Sequence, residues 1–332
     1  MDLAARFGYV AEVRKSLRIT LVIFFVAVLA GLALLLTHPN SASEPVYQGK
    51  RLTLWLKEGY ASVPYNATAA SNTDNALRIL GTNAFPFLVK MVEAKDSPLR
   101  RRLIRLAQKQ PFYKTSFATA EERRGLAMRA FHAVKEDAAS AIPALVKPLN
   151  DGECSETAAF ILADIGPAGM GPLTNALKNG DWRVRASVMI GLGRFAKPFY
   201  PNPQNPVRPE DIDSFGKIIV PVLVNSLKDP DFHVRGFAAM SLGWFAREPE
   251  IAIPALTSLL SEENESNREK AAHALAQFGD KARSSVPALL QALKKEQGYV
   301  GIGNAIKRID PEAAAKAGIT NIPNAVNDSP TH

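Results

Sequence analysis

The chain has 332 residues, 47% of them apolar, enough for a continuous core, and a single cysteine, Cys154, which excludes an internal disulfide framework and a multi-cysteine zinc site. The formal net charge of +8 is unevenly placed: residues 1–37 carry +2, residues 95–124 carry +6, and the remainder is neutral. Downstream of residue 37 the excess charge is thus confined to one stretch.

In chain order, residues 1–18 are a short basic segment with Arg6, Arg14, Lys15 and Arg18. Residues 19–37 follow without a charge, and a helix of that length extends about 28 Å, close to the hydrocarbon thickness of a bilayer. The basic flank lies before this run and the next basic residue after it is Lys50, so the expected orientation is N-terminus cytoplasmic and everything downstream extracytoplasmic. The apolar run exceeds the usual core of a cleaved signal, which favours a retained transmembrane signal-anchor. Small residues at 41–43 leave secretion after cleavage near Ser43 as the alternative. Residues 38–71 are expected to be a tether and cap. Within them, 38–50 is a polar linker, 52–58 is a short amphipathic helix ended by Gly59, with Trp55 as a capping side chain, and 61–71 is a loop.

From residue 72 to 319 the chain repeats itself. A proline followed by apolar residues recurs at Pro86, Pro143, Pro172, Pro221, Pro254 and Pro287, with gaps of 57, 29, 49, 33 and 33 residues. Each is expected in the first turn of a helix, where the missing N–H costs nothing. Before each proline stands an apolar pair three residues apart: Leu77/Leu80, Phe131/Val134, Leu162/Ile165, Leu192/Phe195, Leu242/Phe245 and Leu275/Phe278. That spacing puts both members on one helix face, and Ile306/Ile309 repeats it in a last helix. A period near 33 built of helix–turn–helix units predicts an all-α solenoid. The 57-residue gap hides an irregular unit whose helix, 97–110, carries the basic cluster. The 49-residue gap holds a Pro-rich insert, residues 197–213, whose five prolines favour an extended loop. Residues 320–332 are expected to be a flexible tail.

Asp181-Trp182-Arg183-Val184-Arg185-Ala186 through Leu192-Gly193 resembles the D-x-x-V-R-x-x-A…L-G unit of HEAT-like repeats, and Asp231 through Gly243 repeats it. Residues 264–278 and 121–134 match more weakly. The resemblance implies a right-handed α-solenoid of about six to seven helix pairs, preceded here by the transmembrane helix. It also implies an Asp/Arg ladder, for which Asp181, Arg185, Asp231 and Arg235 are the candidates. Spacing i,i+4 lets each arginine reach the acid in its own unit. Counting back ten from the second apolar residue of each pair gives Arg124, Arg185, Arg235 and Arg268, one structural position in four units.

No phosphate-cradling loop, zinc-protease motif or Cys/His cluster accompanies the repeats. His132, His233 and His273 fall at different places in their units and read as boundary residues. No catalytic residue, metal or cofactor is therefore expected. Some HEAT-like arrays attach bilin chromophores, but no accessory motif for that chemistry is present. The candidate partner-binding residues are Arg100, Arg101, Arg102 and Arg105 on the basic helix, and Phe199 and Tyr200 in the insert. The leading expectation is a membrane-anchored, non-catalytic scaffold that holds a protein on an extended concave face. The alternatives are a cytoplasmic solenoid binding nucleic acid or another polyanion, and a bilin-lyase-like enzyme.

Overall fold

The computed structural model describes residues 44–61, 66–108, 119–135, 137–196, 209–295 and 300–319. The expected membrane run, residues 19–37, lies outside the described residues, as do Phe199, Tyr200 and the tail. Among the described residues, no helix is long and apolar enough to cross a membrane.

The chain enters through a hairpin. β1 (Val46–Tyr47) pairs antiparallel with β2 (Lys50–Arg51), with Gln48 and Gly49 both at positive φ, 50° and 73°. Two successive left-handed residues make the type I′ turn that matches the twist of a two-residue hairpin. The hairpin is a small addition to an otherwise all-α chain and departs from the reading of 38–50 as a plain tether: a polar composition concealed a turn. α1 (Leu52–Tyr60) runs on through Gly59, which is buried in the helix and does not end it. Trp55 is held at the cap as expected: its indole N–H donates to the Tyr47 carbonyl (3.2 Å), and the Lys50 ammonium lies 4.0 Å from its ring centroid. α2 (Ala67–Leu80) begins earlier than expected. Asn66 caps it by accepting from the Ala69 N–H (3.0 Å), and alanine is the best helix former, so residues 67–71 are helix and not loop.

Beyond the cap the helices alternate between two layers. The first layer holds α2, α5 (Ala120–Ala133), α7 (Ser155–Ile165), α9 (Trp182–Ala196), α11 (Phe232–Phe245), α13 (Glu265–Gln277) and α15 (Val300–Ile309). The second holds α3 (Phe85–Val92), α6 (Ile142–Leu149), α8 (Met170–Ala176), α10 (Pro209–Ser226), α12 (Pro249–Leu259) and α14 (Val286–Lys295). α4 (Pro98–Gln108) is the extra helix between α3 and α5, and α16 (Pro311–Lys316), absent from the sequence reading, closes the array. Every apolar pair ends its first-layer helix with the first member buried, and one core cluster runs from Leu52 to Ile319.

First-layer helices pack closely because small residues face each other. A Cβ on Gly191 would lie 2.7 Å from the Ala159 carbonyl carbon, and one on Gly243 would lie 2.8 Å from the Ala274 Cα. In the second layer, Pro86, Pro143 and Pro287 sit at the second helical position, and in those units a 3-10 turn leads in. Pro221 and Pro254 depart from the expectation, lying inside α10 and α12. Those helices start earlier, and both prolines are exposed, so the carbonyls they leave without an N–H partner are on the water side. One early start is Pro209 itself. The Pro-rich insert therefore gives way to helix at 209, because proline suits the first helical position.

Candidate partner-binding surface

At the helix starts of the regular units, charged groups are spent on capping and alignment. Asp231 caps α11 by accepting from the His233 N–H (2.8 Å), and Asp181 accepts from the Arg183 N–H (2.9 Å) at the start of α9. The arginines expected to pair with them turn away. Arg185 forks onto Asp229 of the following unit, Nε to Oδ2 and Nη2 to Oδ1 both at 2.8 Å, and its Nη1 donates to the carbonyls of Asn179 (2.8 Å) and Gly180 (3.2 Å). Arg235 repeats the arrangement with Glu262 (Nε to Oε1 2.7 Å) and the carbonyls of Asp229 and Pro230. Arg268 donates to the carbonyls of Glu262 and Glu263, both at 2.6 Å, and Arg124 to that of Ala94 (2.6 Å), with Glu153 at 3.5 Å. The ladder therefore runs between units rather than by i,i+4 contacts within them. An acid at a helix start is already engaged by its own backbone, which leaves the arginine free to reach forward. Asp229 and Glu262, which sequence reasoning missed, share a signal: each stands two residues before the capping residue of its unit, Asp231 or Asn264.

Burial acts to raise the Asp229 pKa, but the Arg185 guanidinium and the Asp231 N–H outweigh it and hold the carboxyl below its ordinary value. Arg185 is pushed up, chiefly by its hydrogen bond to Asp229. Where the ladder arginine is missing, its acid is missing too. Ser155 takes the place of Arg185 in the α7 unit, and the next unit carries Asn179 where Asp229 and Glu262 stand in theirs. The Ser155 hydroxyl pairs instead with that of Ser187 (2.7 Å), and Asn179 Oδ1 still accepts from the Asp181 N–H (2.9 Å), as Asp229 does from Asp231.

The irregular unit is built differently. Asp96, 5% exposed at its side chain, accepts from Arg100 Nε (2.8 Å), Arg123 Nη2 (3.2 Å) and the Ala120 N–H (2.6 Å). One carboxylate thus faces two guanidiniums. Burial first, and Arg100 next, lower the Arg123 pKa, and the Arg123 Nε is buried without a hydrogen-bond partner. Arg100, expected among the partner-binding residues, is thereby tied to Asp96. Arg101, Arg102 and Arg105 are exposed on α4, and their side chains make no ion pair or hydrogen bond among the described residues. Ile104 anchors α4 in the array, whereas Leu99 is 58% exposed.

A second surface feature lies where α9 and α11 begin. Trp182 stacks on His233 (centroids 4.2 Å apart, planes at 13°), Phe232 adjoins His233 at 3.8 Å, and the Arg183 guanidinium lies 4.9 Å from the Trp182 ring. His132 is not a boundary residue but buried, its Nδ1 2.7 Å from Asp164 Oδ2 across α5 and α7. Cys154 precedes α7 and is buried, which pushes its thiol up and away from reactivity. Among the described residues no group of His, Cys, Asp and Glu is placed to hold a metal ion.

Residues 219–307, from α10 to α15, match the sequence profile of HEAT repeats. Helix pairs of the same plan precede that stretch, which supports a HEAT-like repeat protein. No protein of curated function matches the chain in sequence. Among solved structures, an engineered protein is 21% identical, covering 86% of this chain and 85% of its own, with a TM-score of 0.38. A second engineered protein is 18% identical over 80% of this chain and 92% of its own, at 0.31. A designed armadillo repeat protein in complex with the peptide (KR)4 is 20% identical over 70% of this chain and 98% of its own, at 0.40.

Proposed function

We propose that this chain is a non-catalytic scaffold that holds another protein along a HEAT-like array, anchored by residues 19–37 with the array on the extracytoplasmic side. The observation that carries the reading is the ladder. Carboxylates and guanidiniums that an active site would keep available are instead consumed in aligning successive units, which leaves an elongated surface as the working part. The apolar run and its basic flank support the anchor, and both are features of the amino-acid sequence. Recognition would then be contact spread over several units, without bond making.

The test uses the full chain with a C-terminal reporter active only outside the cytoplasm and, in parallel, one active only inside, together with a photo-crosslinker at His273 on the exposed side of α13. Activity of the outer reporter and a discrete protein adduct are expected. Activity of the inner reporter would overturn the localisation and favour the polyanion reading. Adducts to nucleic acid alone, or none at all, would overturn the scaffold.

A further inference from the structure

We propose that α4 is the docking site for an acidic segment of the partner protein, one that carries an apolar side chain beside its carboxylates. The inference rests on the scaffold reading and names the partner chemistry at one place on it.

The arginines of α4 stand out by what they lack. Arg185 and Arg235 each have carbonyl and carboxylate partners, whereas Arg101, Arg102 and Arg105 have neither among the described residues. Arg101 and Arg102 also sit near the N-terminal end of their helix, with no acid in the first turn. That end already bears the positive pole of the peptide dipoles, so each cation there is disfavoured by about 0.3–1 kcal/mol. Arg100 recovers this through Asp96 and its two neighbours do not. Beneath them Asp96 is shared between Arg100 and Arg123. A sequence that places two cations where the helix dipole disfavours them, with Arg105 extending the same exposed basic face into the last turn, is locally inconsistent, and such inconsistency is the mark of a binding surface.

The chemistry of the occupant follows from the side chains. Guanidinium is a planar fork suited to bidentate capture of carboxylate or phosphate. Arg101 and Arg105 are one turn apart, as are Arg102 and Arg105, so two or three anionic groups are held along a helix about 16 Å long. Leu99 lies one turn before Arg102 and is more than half exposed. A nucleic-acid backbone has no use for that leucine, whereas a peptide that mixes Glu or Asp with an apolar residue does. A bilayer surface fits less well, since an interfacial helix needs a broad apolar face and the apolar side of α4 is turned inward at Ile104.

The experiment measures anisotropy of a labelled peptide of alternating Glu and Leu against the full chain in detergent. Its Gln/Leu analogue, single-stranded DNA and anionic phosphatidylglycerol vesicles serve as the other arms. The Glu/Leu peptide is expected to bind, to bind more tightly than its neutral analogue by about tenfold or more, and to weaken as salt rises. Arg102→Gln should weaken it by about tenfold, and Arg101→Glu with Arg105→Glu should abolish it while helix content and Tm stay unchanged. Equal binding of the neutral analogue, tighter binding of DNA or vesicles, or full affinity in the variants overturns the proposal. If the double reversal unfolds, Arg102→Gln and Leu99→Ala decide: unchanged affinity in both overturns it. Loss of this peptide contact while the His273 adduct persists would sink the inference and spare the scaffold, whereas loss of the adduct speaks to the scaffold itself.

Discussion

The units around α9, α11 and α13 and the irregular unit around α4 and α5 use the same residue, arginine, to opposite ends. In the first region each arginine is satisfied by the turn carbonyls before its own helix, and Arg185 and Arg235 also by an acid in the next unit. In the second, one acid serves two arginines and three more face solvent. A repeat array tolerates such a departure because each unit leans only on its neighbours, so a local excess of charge does not propagate. The comparison teaches that an arginine's meaning in this fold is read from whether the following unit offers it an acid.

The largest expected effect tests whether the regular region carries the stability. Phe245→Ala, at a side chain that is 1% exposed, should cost about 3–5 kcal/mol, whereas Leu103→Ala on the half-buried side of α4 should cost about 1 kcal/mol. Denaturant unfolding of both variants checks it, and equal losses would erase the distinction between the regions. Next comes the ladder. Arg185→Ala leaves Asp229 buried without its partner, at a cost of about 3 kcal/mol. The pH dependence has a definite sign. Because the Asp229 pKa is held below its ordinary 3.8, its contribution is complete above that value and is lost as pH falls through the lower, folded-state value. Asp229→Asn should therefore remove part of the acid limb of a stability–pH profile, and an unaltered limb would show that Asp229 is not linked to folding. The smallest effect is the sharpest contrast: Arg102→Gln should change thermal stability by no more than about 0.5 kcal/mol, and a larger loss would mean that α4 spends its cations internally after all.

Much of this was legible in the amino-acid sequence because the period of the array is short-range. The apolar pairs, the recurrent prolines and the equivalence of Arg124, Arg185, Arg235 and Arg268 all follow from spacing along single helices. What escaped was what depends on the neighbouring unit. Arg185 reaches an acid 44 residues on, and Arg235 one 27 residues on, so an i,i+4 rule named Asp181 and Asp231 instead. Arg100 was grouped with Arg101 and Arg102 by adjacency, although one step around the helix separates a buried pair with Asp96 from open solvent. Pro221 and Pro254 were placed at helix starts because a proline in a repeated motif looks like punctuation, and only exposure on one side of the helix lets it be otherwise. The His132–Asp164 pair has no local signal at all, since its members lie in different units.

The boundary between the α7 and α9 units, where Ser155 and Asn179 replace arginine and acid, has a consequence for how such a chain grows. A charged coupling straddles its boundary, one half in each unit, so losing or inheriting only one half strands a desolvated ion. A whole unit inserted with its own acid and its own arginine leaves no half unmatched, and the array can lengthen by complete steps. The Ser155/Asn179 boundary has neither half and carries a hydroxyl pair in their stead. Among the described residues it is a neutral seam: a chain divided or spliced there strands no ladder arginine or acid, and the array can be joined to another there without regard to what the newcomer carries at those two positions.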